Sequence, residues 1–172
     1  LKKLIEECAM KDYVYDLVLT DATTYIIPNT FPPDIIVSET MNAALSKEPQ
    51  VSIVSNLLAQ CIELPLLIPQ VISVSLCIDK RSGNHDDKFF LDTVIHFDAA
   101  YALNFEKNRN HLPLFNEGLT IKTGNFEHVK ANQLFLDTFI QIYKEHTLKY
   151  NECGLTIPVP VFSIADKSLM AP

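Results

Sequence analysis

The sequence predicts an α/β layer over residues 1–68, followed by a mostly antiparallel β domain over residues 69–172. Three observations lead there. Two short unbroken apolar runs, Ile35-Ile36-Val37 and Leu66-Leu67-Ile68, flank a stretch whose apolar residues recur at helical spacing. The first run reads as a strand buried on both faces, and with the helix and the second apolar segment it gives an α/β rhythm. Beyond Pro69 the pattern changes to alternation of period two, broken by turn signals. A block of strands after an α/β segment reads as a second domain.

Taken in order, Leu1, Leu4, Ile5 and Cys8 lie at helical spacing, with Lys2/Glu6 and Lys3/Glu7 pairs on the other face. This predicts an amphipathic helix end. Tyr15 to Thr20 reads as a short strand, followed by the polar stretch Asp21-Ala22-Thr23-Thr24. Asn29, Pro32 and Pro33 mark a loop, because proline fixes φ and removes a donor. Asp34 to Ser38 reads as a strand. Val51, Val54, Ser55, Leu58, Cys61 and Ile62 form one stripe, so a helix is expected over Pro49–Cys61, with Pro49 suited to its first turn. Val71 to Ile78, Phe89 to Phe97, Leu119 to Thr123, Leu134 to Tyr143 and Leu155 to Phe162 follow as strands. Phe89, Phe90, Phe97 and Tyr101 read as strand-core residues. Turn signals lie at Ser82-Gly83-Asn84, Asn108 to Asn110, Thr123-Gly124-Asn125 and Asn151 to Gly154. Pro158 and Pro160 confine the last strand to an edge or a bulge.

Composition narrows the function classes. With 48% apolar residues in 172, a sizeable core is expected. The net charge of −7 and the lack of a Lys/Arg cluster argue against nucleic acid as a partner. No apolar run approaches the roughly 18 residues of a membrane span. Cys8, Cys61, Cys77 and Cys153 have no C-x-x-C spacing, and the first three sit in apolar patterns. Buried, reduced thiols and a cytoplasmic setting are the expectation. The chain starts without Met in the middle of a helical pattern, which reads as a piece of a longer protein.

The segment with most chemical content is Ser38-Glu39-Thr40-Met41-Asn42-Ala43-Ala44-Leu45-Ser46-Lys47-Glu48. It sets Glu39 and Glu48 nine positions apart, beyond the carboxyl end of an expected parallel strand, where open α/β sheets build their ligand sites. Two carboxylates there can hold a guanidinium by paired hydrogen bonds, ligate a metal, or share a proton. They also suit a cap and a solvated helix N-terminus, and spacing alone leaves these readings open. Gly83, Gly118, Gly124 and Gly154 form no G-x-G loop, so the usual cofactor cradle is missing. The five histidines lack metal-ligand spacing, and Ser38 is not in a G-x-S-x-G elbow. Asp86-Asp87 reads as a solvated turn.

The stretch Asp34-Ile35-Ile36-Val37-Ser38-Glu39-x-Met41-x₆-Glu48 resembles the double-glutamate hairpin of the protein arginine methyltransferases. Leu19-Thr20-Asp21-Ala22 is similar to a strand-plus-Asp-Ala element of adenosylmethionine-dependent methyltransferases, and Leu67-Ile68-Pro69 to the family's entry into its β-barrel-like domain. The resemblance covers about residues 15–80. It implies the C-terminal part of a Rossmann-like methyltransferase sheet plus a β-barrel-like domain. It implies S-adenosylmethionine as cofactor, Asp21 and Ala22 at its adenine, Met41 near it, and Glu39 and Glu48 on the methyl acceptor, a small molecule or a protein side chain. The hairpin departs from the family at Thr40 and Asn42, where an aromatic residue and a glycine are usual. The missing glycine loop implies that this segment carries the acceptor side and is inactive alone, and the absence of tryptophan excludes the family's Thr-His-Trp loop and argues against arginine as the acceptor. The other reading is a non-catalytic binding or dimerisation module of the same superfamily, in which the open α/β edge pairs two copies.

Overall fold

The computed structural model describes residues 2–46, 49–80, 88–107 and 131–163. Leu1, Glu48, the expected strand Leu119–Thr123 and the turn signals near residues 83, 109 and 124 lie outside the described residues. The elements are α1 (Lys2–Glu7), β1 (Ile35–Val37), α2 (Gln50–Ala59), β2 (Leu66–Ile68), β3 (Val71–Lys80), β4 (Lys88–Phe97), α3 (Ala99–Lys107), β5 (Ala131–Tyr143), β6 (His146–Leu148) and β7 (Val159–Ser163). The architecture is mixed α/β with two sheets, most of whose pairings are antiparallel.

The first sheet is a parallel pair of β1 and β2. Ile35 faces Leu66, Ile36 faces Leu67 and Val37 faces Ile68, with α2 as the crossover. The ladder extends one bond at each end, since Leu66 N–H donates to Asp34 O and Ser38 N–H to Ile68 O, both at 2.9 Å. In the second sheet the order is β4-β3-β5, and β6 and β7 share the far edge of β5. Among the described residues this sheet stays open and no closed barrel forms. β7 is an edge strand, and its register with β5 shifts where Phe135 meets Pro160. A proline lacks the N–H that a regular ladder needs, so the irregularity falls where the sequence places it.

The main core runs across Pro69. Ile36, Met41, Val54, Leu58 and Leu67 pack with Ile72, Phe97, Ala102 and Ile140, and α2 packs on α3 between the sheets. Each of the larger side chains contributes about 1.5–3 kcal/mol by leaving water. A smaller cluster gathers Leu76, Ile78 and Leu134 from the alternating faces of β3 and β5. The stripe on α2 buries Ile53, Val54, Ser55 and Leu58.

Several expectations are corrected. Tyr15–Thr20 forms no strand and pairs with no strand among the described residues, and Leu19 is fully exposed. Asp16 takes the Leu17 N–H on its own carboxylate at 2.7 Å, a local bond that replaces a ladder. β1 is buried on one face only: Ile36 is inside, while Ile35 and Val37 are 53% and 69% exposed. α1 forms with its Lys3–Glu7 pair at 3.6 Å, but it fully buries no residue; Leu4 and Cys8 are exposed and Ile5 is half-buried. Tyr101 belongs to α3, not a strand. Asp98 starts that helix, accepting the Tyr101 N–H on Oδ1 at 2.7 Å and the Ala102 N–H on its carbonyl at 3.0 Å. The Asp-Ala-Ala start was the missed signal. Leu155 lies in a short 3₁₀ turn (Gly154–Thr156), so the final strand begins later, at Val159.

Leu58 is 1% exposed and Ile62 fully exposed, although both fall on the predicted stripe. Leu58→Ala is expected to cost about 2–5 kcal/mol in urea unfolding, and Ile62→Ala less than about 0.5 kcal/mol. Equal costs would contradict the placement of the core.

Candidate functional site

The site is built where β1 ends. Beyond Val37 the chain leaves the sheet, and the side chain of Gln50, from the first turn of α2, holds its path. Gln50 is 1% exposed. Its Oε1 accepts the Ser38 hydroxyl at 2.9 Å, the Thr40 hydroxyl at 2.5 Å and the Thr40 N–H at 3.3 Å. The two hydroxyls are also 3.0 Å apart. Gln50 Nε2 is buried without a partner among the described residues. Glu39 therefore sits between two residues pinned to one carbonyl, and its own side chain is exposed at the carboxyl end of β1.

Four residues on, the loop is pinned again. Ala44 and Leu45 both have positive φ, 56° and 54°, which costs L-residues about 1–2 kcal/mol each. The Ala44 N–H donates to Thr138 Oγ1 of β5 at 3.1 Å, and Thr138 is fully buried. A left-handed pair held by a buried hydroxyl is over-determined by its surroundings, as strained functional loops are. The loop from Ser38 to Ser46 is thus tied to α2 at one end and to the second sheet at the other.

The expected cofactor residues are held by the same helix. Asn56 Nδ2 donates to the carbonyls of Ala22 (3.1 Å) and Tyr25 (2.9 Å). Gln60 accepts the Ile27 N–H at 2.9 Å and donates to Tyr25 O at 2.9 Å. Backbone groups of a segment without a strand partner are in this way satisfied by side chains of α2. Gln50 and Asn56 are six residues apart, so the two anchors lie about 9 Å apart along the helix axis. Asp21 is exposed, and its Oδ1 accepts both the Thr23 N–H at 2.9 Å and the Thr23 hydroxyl at 2.7 Å. Those bonds, the hydroxyl first, hold its carboxyl below the ordinary value.

Met41 is in the core, 7% exposed, against Ile36, Val54 and Leu58. It packs under the loop. Glu48 lies outside the described residues; α2 holds Ala22 through Asn56 and the Ser38–Thr40 segment through Gln50, and no hydrogen bond or core contact among the described residues joins Asp21 or Ala22 to Glu39 or Met41. Among the described residues no group of His, Cys, Asp and Glu is arranged to hold a metal ion.

Elsewhere the titratable groups have structural explanations. Cys77 is buried, and burial, then the Asp137 carboxylate, push its thiol up to about 11 against the opposing pull of Lys88, so it stays neutral. Cys8 is exposed and Cys61 and Cys153 half-buried, contrary to the expectation that all would be buried; all four are free. Cys8 loses its cover because α1 does. Lys88 forms an ion pair with Asp137 and lies over the Tyr150 ring, 4.5 Å from its centroid. Ser73 Oγ lies 2.9 Å from His96 Nδ1, and His96 Nε2 lies 3.8 Å from Asp98. The other oxygen of that carboxylate caps α3, so Asp98 serves the helix more than the imidazole. Sequence spacing could not show this contact, because strand pairing alone brings residues 73 and 96 together.

Comparison with protein-family models and with curated proteins finds no match to this chain. No helix among the described residues is long and apolar enough to cross a membrane.

A lowered carboxyl pKa contributes stability above the ordinary value of 3.8, and that contribution is lost as pH falls through the lowered one. In a carbon-detected NMR titration, Asp21 is expected to titrate below 3.8, and Thr23→Ala to bring it back up. An unchanged midpoint in Thr23→Ala would contradict the assignment of the shift to Thr23.

Proposed function

We propose that this segment carries the acceptor side of an S-adenosylmethionine-dependent methyltransferase. The observation that carries the reading is the β1–α2–β2 parallel unit, which delivers Ser38-Glu39 at the carboxyl end of its first strand. In open α/β sheets ligands bind outside that end. The Gln50 clamp and the buried Thr138 tie support it, since a loop that must aim a side chain benefits from being held on both sides.

When bound, S-adenosylmethionine supplies an electrophilic methyl group. The residues of this chain do the positioning. Glu39 accepts an N–H or O–H of the acceptor and holds the nucleophilic atom in line, and its negative charge favours the positive charge that develops there. Asp21 would accept from the adenine amine, and the Asn56 bond to Ala22 O holds the turn that carries it against α2. Met41 supports the loop from below. The acceptor is a small molecule or a protein side chain that presents a donor to a carboxylate.

Methyl transfer from labelled S-adenosylmethionine, assayed with protein from the complete open reading frame, tests the reading. Glu39→Gln is expected to lower kcat/KM by about 10²-fold while unfolding at the same urea concentration. An unchanged kcat/KM, or no incorporation by the unsubstituted protein, would contradict it.

A further inference from the structure

We infer that a cavity at the amino end of β1 binds an organic cation, an ammonium group carried on an apolar body. The cavity measures about 660 Å³, within the roughly 300–1,000 Å³ of small-molecule sites. Pro28, Pro32 and Pro33 of the loop before β1 line it on one side, Asp34 at the start of the strand, and Ile62 and Glu63 beyond the end of α2. None of Ile35–Val37 lines it, so it does not depend on the open edge of that strand.

The walls are held in place. Gln60 accepts the Ile27 N–H at 2.9 Å and donates to Tyr25 O at 2.9 Å, which docks the proline loop on the end of α2. The Leu66 N–H donates to Asp34 O at 2.9 Å and fixes the start of β1. Between these anchors the prolines restrict φ, so the concavity is largely preformed. Ile26 and Ile62 also line it, although 78% and fully exposed. Apolar groups left open around a concavity are what a ligand with an apolar body covers.

Charge selects the occupant. Asp34 and Glu63 are the charged residues of the lining, with no lysine, arginine or histidine beside them. Neither carboxylate has an ion-pair partner among the described residues. The carbonyl end of α2 adds a partial negative charge on the same side. A cation complements such a lining and an anion is repelled. Among the described residues no group of side chains is arranged for a metal ion, which leaves an organic cation. Asp34 lies four residues before Ser38, about 13 Å along an extended chain, so the cavity is separate from Glu39. The inference does not rest on methyl transfer.

The test is a ¹⁵N-NMR titration of this chain with n-hexylammonium chloride as the probe. Saturable shifts are expected at Ile27, Asp34, Cys61 and Glu63. Hexan-1-ol is expected to bind about tenfold more weakly or worse, and hexanoate to leave these signals in place. Asp34→Asn combined with Glu63→Gln is expected to weaken hexylammonium about tenfold or more, and both positions are exposed, which spares the fold. Equal binding of hexan-1-ol or hexanoate overturns the inference even if the double variant fails to fold. Shifts that do not saturate, or that centre on Ser38 and Glu39, overturn it too.

Discussion

A single buried carboxamide holds the end of β1 in place. Gln50 Oε1 collects two hydroxyls and a main-chain N–H from Ser38 and Thr40, and it does so from the first turn of the helix that packs beneath the sheet. Without it those donors would sit at a half-buried strand end with no acceptor, at about 1–3 kcal/mol for each group left unmade. Nε2 on the same side chain, buried without a partner among the described residues, carries a similar cost. The net gain is thus not large. What the bond supplies is direction, because it turns the chain out of the sheet at Ser38 and leaves Glu39 facing solvent.

Everything near the site then follows from α2. Its buried stripe, Ile53, Val54 and Leu58, ties it to both sheets. Its polar residues, Gln50, Asn56 and Gln60, hold the two segments that the parallel pair cannot reach. Met41 joins the two functions, since it belongs to the loop in sequence and to the core in space. A helix in this position can keep the Asp21–Ala22 turn and the Glu39 loop at a constant separation while the surface around them stays open.

Much of this was legible in the sequence. The runs Ile35–Val37 and Leu66–Ile68 were strands, the stripe from Val51 was a helix, and the alternation from Val71 was a sheet. Each rests on local periodicity, which a sequence displays directly. The prolines at 158 and 160 marked an edge for an equally local reason. The losses fall where the outcome depends on distant partners. Tyr15–Thr20 has strand composition but pairs with no strand among the described residues, and Leu4 has helical spacing but stays exposed. α3 hid behind aromatic residues that suit either element. The Gln50 clamp, the Thr138 tie and the Asn56 bridge join residues 10 to 94 positions apart, and no spacing rule announces them. Of the site itself, Glu39 at a strand end and the Asp21 turn could be read from the residues; the helix that relates them could not.

The most direct measurement is a ¹⁵N-NMR titration of this chain with S-adenosylhomocysteine. The account predicts no binding, or weak fast-exchange shifts confined to Asp21, Ala22, Thr23 and the Ser38–Met41 loop. Tight binding by this chain alone, or shifts centred on the second sheet, would contradict it.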